Sequence, residues 1–200
     1  MRHMNNKPGK GSKITSAMKW DRQKVYGRDE VLRGIENRAR VYGESVVQDV
    51  RAVMHDYEVD MYRLVMSIGK RYGMDTAYEI MSDTVADKRL RWLDQAKAEL
   101  QLGGSRVEKG LTLYRQYFKL SDDSFQIVEQ TDKKAVFRRK DYIDAIAHAC
   151  DVLGLDVIEV NNKVYARTMN LLFTEVNLGL RNTVLDYHDG WYDETIEIIT

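Results

Sequence analysis

The sequence predicts an α+β fold, helical through its first half and carrying two β-hairpins in its second. Three observations lead there. Apolar residues recur every three or four positions from about residue 45 to 120. The period drops to two from Ser124 onward. An Asp189-Gly190 pair then sits between two further alternating runs. Hairpins are marginal alone in water, so the two are expected to join in one four-stranded antiparallel sheet with helices packed on one face.

Taken in order, the first thirteen residues, MRHMNNKPGKGSK, hold the single proline and nothing to bury. They read as a disordered tail or an expression remnant, and His3 is given no metal role. Residues 14–200 read as one α+β domain opened by a helical arm. From about Ser16 to Arg40 the chain is charged, with Trp20, Val25, Tyr26, Val31, Leu32 and Ile35 spaced along it. That pattern predicts an amphipathic arm lying on the body or forming a homodimer.

Val46, Val50, Val53, Met54, Tyr57, Met61, Leu64, Val65 and Ile68 mark a long helix over 45–72, stopped at Tyr72-Gly73. Asp75 is expected to cap a second helix that Gly103-Gly104 closes, and a shorter one follows near Val107–Leu120. SFQIVEQ, the turn TDKK and AVFRR make the first hairpin. Asp141 is expected to cap a helix ending at Gly154, with another from about Val157 to Leu178. NTVLDYH and WYDETIEI, joined by a type I′ turn, make the second hairpin.

Composition narrows the function. Lys+Arg and Asp+Glu balance at 31 each, which argues against a nucleic-acid partner. No apolar run nears the ~18 residues of a membrane span, so no membrane partner is expected. The lone Cys150 excludes an internal disulfide and a cysteine zinc site, and cytoplasm is the expected location.

Strand parity singles out the candidate site. With a two-residue turn at Asp189-Gly190, Thr183, Leu185, Tyr187, Tyr192, Glu194, Ile196 and Ile198 share a face, apolar but for Glu194. Phe125, Ile127, Ala135, Phe137 and Arg139 share one in the first hairpin. One charge from each hairpin therefore points toward the helices. Such charges are tolerated when paired, or when a pocket uses them; the competing reading has both at strand ends reaching solvent. Tyr187, Trp191 and Tyr192 suit a flat ligand or simple core packing. The basic run Lys133, Lys134, Arg138, Arg139, Lys140 opposes the acidic last hairpin, which predicts cross-strand ion pairs.

Two pairs at i, i+3, His55 with Glu58 and His148 with Asp151, offer an alternative metal site of two histidines and two carboxylates. The competing reading is a solvated His55 and a core His148. Cys150 points away from His148 on a helix and reads as a core residue.

The stretch FRRKDYIDAIAHACDVLGL, the helix VNNKVYARTMNLLF and the hairpin LDYHDGWYDETIEI resemble the L-2-amino-thiazoline-4-carboxylic acid hydrolase family. MSIGKRYGMDTAYEIMSDTVADKRLRW is similar to its earlier helix pair, so the resemblance spans about residues 50–200. It implies a small-molecule hydrolase that opens a heterocycle. Members carry cysteines where this chain has Arg139 or Lys140, and Glu194, which departs from that chemistry.

The expected function is therefore a hydrolase of a small polar, carboxylated, cyclic substrate, without a cofactor. Glu194 is cast as general base, Arg139 as anchor, His148 as a second acid/base, and Tyr187 and Tyr192 as substrate contacts. A non-catalytic ligand-binding or sensor domain is the rival reading.

Overall fold

A computed structural model of the protein describes residues 44–199, with side chains from Gln48 onward. The tail 1–13 and the arm 16–40 lie outside the described residues. Helices α1 (Glu44–Tyr72), α2 (Met74–Ala96) and α3 (Arg106–Phe118) come first. Strands β1 (Phe125–Gln130) and β2 (Lys134–Lys140) follow. Then come α4 (Ala145–Leu153), α5 (Val157–Val160), a π-helical segment (Asn161–Ala166) and α6 (Arg167–Glu175). Strands β3 (Leu180–His188) and β4 (Trp191–Ile198) close the chain. The fold is α+β, with one antiparallel sheet in the order β1-β2-β4-β3. Among the described residues no helix is long and apolar enough to cross a membrane.

Local chemistry sets most of the boundaries. Ser105 and Glu108 form a reciprocal capping box at the start of α3. Asp156 accepts hydrogen bonds from the amides of Ile158 and Glu159 and opens α5. Asp189 and Gly190 both have positive φ, 50° and 79°, as a type I′ turn requires. Three boundaries differ from expectation. Helix α2 begins after Gly73 without a side-chain cap and ends at Ala96, well before Gly103. Asp75 instead accepts an ion pair from Lys163 at 2.8 Å. Asp141 holds an Asx turn with the amides of Ile143 and Asp144, so the helix it was expected to cap starts four residues later.

Two apolar clusters share the interior. One joins the sheet to α2, α3 and α6 through Leu93, Leu113, Phe137, Leu172 and Ile196. The other lies among α1, α2, α4 and the π segment, around Tyr62, Val65, Tyr78, Ala149 and Val164. Helix α3 lies so close to the sheet that a Cβ on Gly110 would clash with Leu180 and press on Ile196. Both neighbours are fully buried and have nowhere to move. Gly110→Ala should therefore destabilise the protein by roughly 1–2 kcal/mol despite alanine's better helix propensity, read as a lower midpoint in thermal unfolding.

Two β-bulges change the parity expected from alternation. The β3–β4 register shifts between Val184 and Asp186, so Val184 faces Glu194 and Leu185 is exposed. Before the bulge it is Leu180, Asn182 and Val184 that point inward, in place of Thr183 and Leu185. The β1–β2 register shifts after Ile127, and Ile127 is half exposed on this edge strand. The other edge, β3, is closed by side chains. Asn162 exchanges two hydrogen bonds with the backbone of Val184, and Asn170 exchanges two with Asn182. The two amides stand in for a fifth strand.

Candidate functional site

Arg139 and Glu194 do converge. Strand pairing sets Arg139 opposite Tyr192 and Phe137 opposite Glu194, so the two charges are diagonal neighbours on the helix-covered face. Arg139 is 5% and Glu194 1% exposed, and Arg139 Nε lies 3.1 Å from Glu194 Oε1. Tyr114 of α3 donates to the same oxygen at 2.7 Å and accepts from Arg139 Nε at 2.9 Å. Asn182 donates to Glu194 Oε2 at 2.9 Å. Oε1 thus accepts two hydrogen bonds and Oε2 one, and at 1% exposure the carboxylate is shielded from bulk water.

The guanidinium is held differently. Its hydrogen bonds leave from Nε alone, and among the described residues the two terminal Nη nitrogens make none. The group lies between the rings of Tyr192 (4.4 Å) and Phe118 (5.0 Å). Burial opposes its charge, but Tyr114, Glu194 and Asp141 together outweigh burial and hold the proton more tightly than in water. Burial pushes the Tyr114 and Tyr192 hydroxyls well up, so both stay neutral.

A second polar group lies outward of the ion pair. Tyr192 packs on Tyr187 with ring centroids 4.6 Å apart. Tyr187 donates its hydroxyl to Asp144. Asp144 has φ +59° and occupies the position before α4. Burial raises its carboxyl above the usual range, against the lowering effects of Tyr187, His55 and Arg51. Burial, then the bond to Asp144, raises the Tyr187 hydroxyl. His55 of α1 and His148 of α4 stack at 4.2 Å, 15° from parallel. His55 Nε2 donates to the Ile143 carbonyl at 2.8 Å.

The alternative metal set does not gather. Stacking brings the two histidines face to face, which keeps their nitrogens from aiming at a shared point, and Asp151 is exposed. Among the described residues, the group whose ligand atoms lie within 4.8 Å of one another is Asp186, His188 and Asp193. Arg138 already takes both oxygens of Asp193 at 3.1 and 3.3 Å. That bond is a cross-strand ion pair of the kind anticipated from the opposed charge runs, whereas Arg181–Glu197 at 2.6 Å joins β3 to β4 and was not anticipated.

Cys150 packs in the helical core, where burial raises its thiol to about 12. Lys140 lies over the rings of Tyr142 and Trp191 at the hairpin end. Compared with known protein families, curated proteins and solved structures, the chain has no match.

Several residues of this region escaped the sequence reading. Tyr114 follows Val107 and Leu111 along the buried stripe of α3, a visible signal for burial but none for its partner. Asn182 was hidden by the bulge at Leu185. Asp144 was read as helix interior. Arg89 of α2 is 1% exposed and lies over Tyr117 and Phe118. It donates to the Tyr165 carbonyl at 2.6 Å, which also accepts from Thr168. That carbonyl lies at the end of the π segment, so Arg89 serves the helix geometry there.

Proposed function

We propose that this protein is a hydrolase of small, carboxylated, cyclic compounds, working along the seam from Arg139 to the His55–His148 stack. The observation that carries the reading is Arg139. Its Nε edge is locked by Glu194 and Tyr114, while its terminal edge keeps the two donors that grip a carboxylate. Glu194 then acts as a positioning residue, because its oxygens are committed. The half-buried ring of Tyr187, backed by the fully buried Tyr192 at a 45° tilt, offers a face for a flat substrate.

Acid–base work passes to the outer group. The imidazoles of His55 and His148, stacked at 4.2 Å, supply a base for water. Asp144, whose carboxyl holds its proton more readily than usual, suits protonation of the leaving nitrogen or sulfur. The resemblance over Phe137–Ile198 supports a heterocyclic substrate, and cytoplasm remains the expected location.

The test is a panel of five- and six-membered cyclic amides, amidines and thiazolines bearing a carboxylate, each beside its carboxamide. We expect at least one carboxylated member to be opened, with kcat/KM on the order of 100-fold above its carboxamide. His148→Asn should lower kcat by roughly 100-fold or more. Equal rates for acid and amide would remove the Arg139 anchor. Binding without turnover across the panel would replace the hydrolase by a ligand-binding domain.

A further inference from the structure

Helix α1 has two apolar faces. Val59, Tyr62 and Val65 are buried against the body. On the opposite side Val53, Tyr57 and Leu64 are exposed at 65%, 56% and 59%. Val50 and Met61, partly buried, border this outer stripe, Met61 also packing on the helical core. Large apolar side chains in a row of this kind mark an interaction surface.

The stripe is a palindrome. Val53 and Met61 lie four residues either side of Tyr57, and Val50 and Leu64 lie seven either side. An antiparallel copy centred on Tyr57 would therefore place Val53 against Met61, Val50 against Leu64, and Tyr57 against itself. A two-fold interface demands this self-complementarity, since one patch must serve both sides. A heterologous partner makes no such demand.

Charge is segregated the same way. Residues 44–60 carry five acidic side chains and one Arg or Lys, while residues 61–72 carry three basic side chains and no acidic one. Antiparallel pairing sets the acidic half of each copy beside the basic half of the other. Asp49 of one copy comes within two residues of the level of Arg63 on the other. Parallel pairing would stack like on like.

We infer that this face binds a second copy of the chain, the two α1 helices crossing antiparallel on a two-fold axis at Tyr57. The inference does not rest on the hydrolase reading. A helix pair of this length buries less than a standard interface, so the dissociation constant is expected in the micromolar range.

The full chain should sediment as a concentration-dependent monomer–dimer mixture in analytical ultracentrifugation between about 1 µM and 1 mM. Leu64→Asp should raise the dissociation constant by roughly 100-fold with an unchanged far-UV spectrum, because the side chain is exposed in the monomer. Asp49→Lys should weaken the dimer, and adding Arg63→Asp should restore it. Tyr57→Cys should cross-link to its own copy under mild oxidation, with little background from the buried Cys150. A chain that stays monomeric to about 1 mM, as it would if residues 1–43 of the same chain covered the stripe, overturns the proposal. So does a dimer indifferent to Leu64→Asp and lacking the Tyr57→Cys cross-link.

Discussion

Glu194→Gln is expected to destabilise the protein by about 3 kcal/mol, lowering the thermal midpoint by roughly 10 °C. The change removes the negative partner of a guanidinium that is 5% exposed and cannot shed its proton. It also sets an amide NH2 where Oε2 now accepts from Asn182, and Asn182 cannot turn away freely because it also donates to the Thr195 carbonyl at 3.1 Å. A carboxylate serving as a free general base would show the opposite pattern, lost turnover at unchanged stability. Chemical denaturation of the single variant, beside a double variant Arg139→Met/Glu194→Leu, separates the two. Removing both charges for apolar groups should recover most of the loss, since the cost lies in leaving one charge buried alone. A single variant as stable as wild type would show that the pair is not the closed unit described.

Asp144→Asn is expected to abolish most turnover while leaving the protein as stable or more stable at neutral pH. Asparagine keeps the acceptor for Tyr187 and tolerates the φ of +59° at least as well as aspartate. The sign with pH follows from the raised carboxyl. Its folded-state pKa lies above the unfolded value, so wild type keeps its full stability below the unfolded pKa. It loses stability as pH rises through the folded pKa. The variant has no such group, so its advantage should grow as pH rises from the unfolded to the folded pKa of Asp144 and then level off. Turnover should fall by roughly 100-fold or more if Asp144 protonates the leaving group. An advantage that shrinks with rising pH contradicts the assigned direction, and retained turnover removes Asp144 from the chemistry. A stabilising change at a site that loses activity is the usual mark of a strained functional position.

Much of the fold was legible because it rests on local pattern. The apolar spacing along α1, the Ser105–Glu108 capping box and the Asp189-Gly190 turn each act within a few residues, so a reader of the chain meets the whole cause at once. The opposed charges of Arg138 and Asp193 were visible as runs in the chain, but β2 and β4 belong to different hairpins, so their register was set by long-range pairing and not by a turn. Arg139 and Glu194 came from period-two alternation, and both lie on segments where no bulge intervenes. Leu185 and Thr183 did not follow, because one extra residue in β3 reversed the parity and carried Asn182 inward instead.

By itself the sequence determined that this chain makes α+β structure, where its turns fall, and which charge of each hairpin was the candidate to face the helices. Only the tertiary structure decided that Glu194 is closed off by Tyr114 and Asn182, that Arg139 keeps its terminal edge, and that His55 meets His148 beside Asp144. Periodicity and capping are short-range and act within single elements. Those contacts join residues 12 to 93 positions apart, and bulges, a π segment and helix packing set their distances.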